Sequence, residues 1–145
     1  MRLCKNLRSS LVRQYTTRNM ARPISTTEAP GALGPYSQAI VANGFVFVSG
    51  QLPVVPATGN IISEDIKEQT TQAVTNLSNV LKAAKVDLSK VVKTTVYLKD
   101  MNDFPSVNEA YAKVFGDNRP ARACVEVSRL PKDVKIEIDA IALTT

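Results

Sequence analysis

The chain of 145 residues contains no histidine and only two cysteines. The first absence excludes Ser-His-Asp and Cys-His nucleophiles, imidazole proton relays and His-ligated zinc. Of the cysteines, Cys4 lies in an N-terminal stretch with a character of its own. Cys124 is then alone in the body of the chain, which can form neither an internal disulfide nor a cysteine metal cluster. No GxGxxG or GxxxxGK[ST] occurs, so nothing points to a bound dinucleotide or triphosphate. No apolar run approaches the ~20 residues that span a bilayer. The expectation is a protein without cofactor, metal or membrane partner. Its chemistry is left to Arg, Lys, Glu, Asp, Ser, Thr, Tyr, Cys124 or the backbone.

Acidic residues are also missing from the beginning, where Glu28 is the first. The net charge of +5 owes most of its excess to Arg2, Lys5, Arg8 and Arg13. The remainder is nearly balanced and gives little electrostatic footprint for nucleic acid. Leu3, Leu7 and Leu11 recur at helical spacing and oppose those cations. An Arg-rich, Ser-containing, acid-free amphipathic leader is the pattern of a mitochondrial transit peptide, with a disordered basic tail as the alternative. The absence of a continuous apolar segment disfavours a secretory signal. Residues 1–15 are therefore expected to be removed, the boundary extending to about residue 17, with the matrix as destination.

What is there fits one domain. Two β-prone runs flank Asn43-Gly44, a pair suited to a type I′ hairpin turn. Residues 50–60 are broken by Pro53, Pro56 and Gly59 and read as an irregular connection. From Ser63, taken as a helix cap with Glu64 and Asp65 in the first turn, apolar residues recur three or four apart as far as Ala84. Val91 to Leu98 is β-branched and strand-like. A second helix runs from a cap at Asp103 to Gly116, with Phe104, Val107, Tyr111, Val114 and Phe115 as its apolar stripe. Two strands, about 121–129 and 134–143, close the chain across Leu130-Pro131-Lys132-Asp133.

Two helices can cover one face of such a sheet. Yet Phe45 and Phe47 oppose Val46 and Val48, and Tyr97 opposes Val96 and Leu98. Sheets apolar on both faces are buried on both. The expectation is an oligomer that buries the second face.

Residues 120–128, PARACVEVS, place Arg122, Cys124, Glu126 and Ser128 on one strand face. Strand grammar alone reads the two charges as solvated. The longer stretch PARACVEVSRLPKDVKIEI, residues 120–138, resembles the signature of the RidA (YjgF) family of enamine/imine deaminases, which Arg122 and Ile136-Glu137-Ile138 fill. Further matches lie at Gly34-Pro35-Tyr36, Ser49-Gly50-Gln51-Leu52-Pro53, Lys93-Thr94-Thr95-Val96 and Asp103-Phe104 with Asn108. Together they cover about residues 24–143. With its leader the chain resembles the mitochondrial matrix factor branch. One departure is Lys85, where many relatives carry glycine after the helical Ala-Ala.

The resemblance implies a chorismate-mutase-like α+β single domain: a mixed, mainly antiparallel sheet with two helices on one face, assembled as a homotrimer with interfacial sites. It implies hydrolysis of short 2-imino acids, such as 2-iminopropanoate and 2-iminobutanoate, to 2-keto acids and ammonia. An arginine binds a carboxylate through two parallel hydrogen bonds, which suits Arg122. Glu137 matches the family position that orients water or shuttles its proton, and is expected to face the same pocket. Its alternative is a surface strand residue.

By resemblance Tyr36, Ser49, Gly50 and Asn108 line the pocket, against a turn tyrosine, a strand-end Ser-Gly and a helix-face asparagine. Gly50 suits a close approach of backbone to ligand. Cys124 has no histidine to activate it, so a small hydrophobe offering its backbone carbonyl is preferred to a nucleophile. A non-enzymatic binder of small carboxylates or of a protein partner is a second function. RNA binding is a third, which the balanced charge and the lack of an aromatic-basic platform disfavour.

Overall fold

The computed structural model describes residues 21–145; the leader and its expected processing point lie outside the described residues. The elements in chain order are β1 (Arg22–Ile24), β2 (Ala39–Ala42), β3 (Phe45–Gln51), α1 (Ile66–Ala83), β4 (Val91–Leu98), α2 (Phe104–Phe115), β5 (Ala121–Glu126) and β6 (Ile136–Leu143). They build one six-stranded sheet in the order β1-β2-β3-β6-β4-β5. Only the β4–β5 pair is parallel, with α2 as its crossover; every other neighbour is antiparallel. The mixed sheet and the two helices match the fold expected from the sequence.

The hairpin turn forms as the Asn-Gly pair requires, with φ of 50° at Asn43 and 82° at Gly44. Strand β1 was not foreseen, because Pro23 argues against a strand; its place at the sheet edge removes the objection. Helix α1 begins later than the expected Ser63 cap. Asp65 is the N-cap, and its carboxylate accepts from the N–H groups of Lys67 and Glu68. Near α2 the capping carboxylate moves as well. Asp103 makes no capping bond, whereas Asp100 accepts from Asn102 N–H at the start of a 3-10 turn that leads into the helix.

Both helices pack on the same sheet face. Val46, Val96, Leu98, Ile136 and Ile138 meet Leu77, Leu81 and Val107 there, all fully buried. Three buried amides tie the loops to this core. Gln38 donates to the carbonyls of Thr26 and Pro30 while accepting from Thr26 N–H. Gln69 donates to Ser63 O and accepts from Lys135 N–H. Asn76 on α1 donates to Leu52 O (2.9 Å) and Val54 O (2.8 Å), which anchors the segment following β3.

Among the described residues, nothing covers the other sheet face. Phe45, Phe47, Val125 and Leu143 are exposed on it, with Phe47 45% accessible. The two-sided apolar pattern of β3 is therefore real: Val46 and Val48 are buried under the helices and the phenylalanines point outward. No helix among the described residues is long and apolar enough to cross a membrane.

Helix α1 ends in a Schellman arrangement. Val86 N–H donates to Leu81 O (3.0 Å) and Lys85 N–H to Lys82 O (2.8 Å), with Lys85 at φ 63°. A side chain in this left-handed conformation costs roughly 1–2 kcal/mol, part of which glycine returns through its larger unfolded-state entropy. Lys85→Gly is expected to stabilise the protein by about 0.5–1 kcal/mol, read as a higher urea midpoint at unchanged slope. An unchanged or lower midpoint contradicts it.

Candidate active site

Strand β4 decides where the two expected catalytic side chains point. It pairs Thr94 with Arg122 of β5 and Tyr97 with Glu137 of β6. Cross-strand partners share a face, whereas residues an odd number apart along a strand lie on opposite faces. Thr94 and Tyr97 are three apart, so Arg122 and Glu137 lie on opposite faces of the sheet. A pocket common to both is therefore not formed within one chain. The seven candidate residues fall into two groups.

The first group lies on the helix side, at the β5 edge. Arg122 donates from Nη2 to Asn108 Oδ1 at 2.7 Å. Its guanidinium carbon stands 5.0 Å from the Tyr111 ring centroid and 5.6 Å from that of Phe104. Phe104, Asn108 and Tyr111 are spaced i, i+4, i+7 on α2, one polar residue within an apolar stripe. That polar interruption was the signal for this cradle in the sequence. Cys124 follows Arg122 on the same face and packs partly into the core. Burial pushes its thiol up, and the nearby Arg122 offsets this only in part. The group favours the protonated thiol, as expected of a packing residue. Glu126 is exposed, and its carboxylate accepts from Met101 N–H at 2.7 Å, which holds the turn before α2.

The second group lies at the far end of β3. Leu33, Gly34, Tyr36, Ser49, Gly50, Leu52, Pro131 and Glu137 line an open cleft of about 340 Å³. Tyr36 is half exposed, and its hydroxyl accepts from Leu33 N–H at 3.2 Å. Ser49 donates its hydroxyl to Ser37 O at 2.7 Å, so its oxygen faces the cleft as an acceptor. The β3–β6 register pairs Val48 with Ala140 and then Gln51 with Ile138. Three steps on β3 oppose two on β6, a bulge at Ser49-Gly50 that the sequence did not announce.

Gly50 has a structural reason to be there besides the one expected. A Cβ on it would fall 1.8 Å from Glu137 Oε1 and 2.7 Å from its carboxyl carbon. The close approach is made by the chain's own carboxylate. Burial raises the pKa of Glu137, and Asp139 two residues along the same face raises it further. Asp139 is itself held by Thr95 N–H (3.1 Å) and the Tyr97 hydroxyl (3.0 Å). The result is a half-buried carboxylate with elevated proton affinity, beside a backbone bulge and a hydroxyl oxygen. That is the outfit of a group that takes and returns a proton. Sequence reasoning missed Asp139 and Tyr97, which only the β4–β6 register brings together.

The domain model described as endoribonuclease L-PSP matches residues 26–144. A RutC family protein of Pyrococcus horikoshii is 57% identical over 123 residues, which cover 85% of this chain and 98% of that protein. The human 2-iminobutanoate/2-iminopropanoate deaminase is 48% identical, over 84% of this chain and 89% of its own. Among solved structures, Escherichia coli TdcF with bound serine superposes with a TM-score of 0.81 at 43% identity, covering 84% of this chain and 98% of that one.

Gly50→Ala tests the packing at the bulge. The clash falls on the movable end of Glu137, so the fold should survive and the carboxylate should swing toward solvent. Since burial is the main cause of its raised pKa, the value should fall toward that of an ordinary glutamate. Carboxyl-carbon NMR titration of the variant checks this, and an unmoved titration contradicts it.

Proposed function

The chain belongs to the endoribonuclease L-PSP (YjgF/RidA) family, and on that premise we propose that it hydrolyses short 2-imino acids and their enamine tautomers to 2-keto acids and ammonia. The observation that carries this reading is the complementarity of the two side-chain groups. One offers a planar cation with hydrogen-bond donors to spare, and the other a carboxylate of raised pKa.

The chemistry follows from the substrate. A 2-imino acid has a carboxylate next to an electrophilic C=N carbon. Arg122 takes the carboxylate in a two-point grip and fixes the plane of the imine. Glu137 accepts a proton from water as the water oxygen bonds to the imine carbon, giving a carbinolamine. That proton goes to the nitrogen. Glu137 then takes the carbinolamine hydroxyl proton and delivers it to nitrogen as the C–N bond breaks, which releases ammonia and leaves the keto group. Imines hydrolyse slowly unaided, so holding substrate and water in register supplies much of the gain. Ser49, Gly50 and Tyr36 shape the water side; Asn108 and Cys124 shape the carboxylate side. TdcF binds serine, an amino acid with the same carboxylate and α-carbon skeleton, which supports a site of this size and polarity.

Because the groups lie on opposite faces, one site takes Glu137 from one copy and Arg122 from the next. Strand β5 is a sheet edge, and the apolar face beside Glu137 is left uncovered by the described residues. A homotrimer in which the β5 edge of each copy reaches the open face of its neighbour answers both needs. The basic leader supports delivery of this activity to the mitochondrial matrix. The family description names an endoribonuclease, but a site built around one carboxylate clamp offers no track for a phosphate backbone.

Two outcomes test the reading. Arg122→Lys and Glu137→Gln should each lose at least tenfold in kcat/KM for 2-iminobutanoate, since an ammonium loses the fork and an amide cannot take the proton. Unfolded together and refolded as mixed trimers, Arg122→Ala and Glu137→Gln should recover about a quarter of wild-type activity, because a quarter of the interfaces pair two intact halves. No recovery in a mixed trimer overturns the shared site. Carboxylate binding without turnover in the wild type overturns the enzyme reading.

A further outcome concerns pH. Glu137 must be ionised to accept a proton, so activity should fall as pH drops through its raised pKa. Asp139→Asn removes one of the two causes of that elevation. The acid limb of kcat/KM should then move to lower pH; an unmoved limb contradicts Glu137 as the base.

A further inference from the structure

Arg122 sits on an exposed edge strand at the end of a long side chain, yet a two-point grip on a carboxylate requires its guanidinium plane to be set in advance. Among the described residues its one hydrogen bond is to Asn108, which occupies a single N–H. The plane must be held by something else. The Tyr111 ring lies nearest, 5.0 Å from the guanidinium carbon, and it is unusually constrained for an aromatic residue next to a surface cation.

Tyr111 is 7% exposed. Its hydroxyl shares a 2.9 Å hydrogen bond with the Thr94 hydroxyl, and Thr94 is fully buried. Its ring stacks on Phe115 at a centroid distance of 4.2 Å and an interplanar angle of 16°. Thr94 is also the β4 residue paired with Arg122. A closed circuit results: strand partner to threonine, threonine to tyrosine hydroxyl, tyrosine ring to arginine, arginine back to its own strand.

We propose that Tyr111 is a positioning residue for the carboxylate clamp, its ring setting the plane of Arg122 so that the free N–H groups point at a planar α-carboxylate. The inference rests on the deaminase reading for its substrate, though not for its geometry. A cation over an aromatic face is attracted by the electron density of the ring. With the ring beside it and one N–H given to Asn108, the guanidinium keeps its other donors, which share its plane, for a ligand. An acceptor with two oxygens in one plane, such as a carboxylate, fits it, and a single oxygen uses it poorly. The circuit therefore selects substrates by the geometry of the carboxylate as well as by charge.

The bland account is that Tyr111 is a core residue whose ring merely happens to lie under Arg122. Ring electronics separate the two, because fluorine withdraws electron density from the face while barely changing volume. Tyr111→Phe serves as reference, and phenylalanines carrying one, two and three ring fluorines at position 111 form the series. KM for 2-iminobutanoate should rise stepwise along it, reaching about three- to thirtyfold, with kcat within about twofold and melting temperature steady. Calorimetric affinity for 2-oxobutanoate should weaken in parallel.

A flat KM and a flat affinity across the series overturn the proposal, even where the wild type turns over normally. A stepwise loss of 2-oxobutanoate affinity in a protein that hydrolyses no imine upholds it while removing the deaminase reading.

Discussion

Strand β4 is hydrogen-bonded to β6 along one edge and to β5 along the other, and its two registers distribute the chemistry of the molecule. Along it, Thr94, Val96 and Leu98 point under the helices and carry Arg122, Cys124 and Glu126 with them. Thr95 and Tyr97 point to the open face and carry Asp139 and Glu137. A slip of one residue in either register would exchange these faces. The burial of Val96, Leu98, Ile136 and Ile138 makes such a slip prohibitive. The hydrophobic core thus holds a cationic group and an acidic group apart on either side of one sheet.

The separation explains features that look unrelated. A sheet face with exposed Phe45 and Phe47 is costly in water unless another surface covers it. A carboxylate kept half buried, with no cation beside it among the described residues, pays in desolvation, seen in the raised proton affinity of Glu137. An arginine cradled by two rings and an asparagine, on an exposed edge, presents its donors outward. The proposed assembly of identical copies would account for all three.

Much of the architecture was legible in the residues. The Asn43-Gly44 turn, both amphipathic helices and the bounds of β4 follow from local rules about positive φ, helical spacing and β-branching. The misreadings are local competitions. Ser63 and Asp65 both fit a cap, and the carboxylate won by accepting from two N–H groups. Asp100 displaced Asp103 because a 3-10 turn precedes α2. The bulge at Ser49-Gly50 left no trace in the pattern, because it is a mismatch between two strands far apart in sequence.

For the site, the residue types were present in the sequence: an arginine on a strand, a glutamate between isoleucines, a glycine after a serine, an asparagine in an apolar stripe. By itself the sequence determined which groups are available and which face each takes along its own strand, since side-chain alternation is a property of one chain segment. It did not determine the relation between segments. That Arg122 and Glu137 face opposite ways, that Gly50 is vacant for the Glu137 carboxylate, and that Asp139 and Tyr97 stand beside it depend on how separate strands align. Only tertiary structure decided these, because register is set by the joint burial of residues from every strand and helix at once.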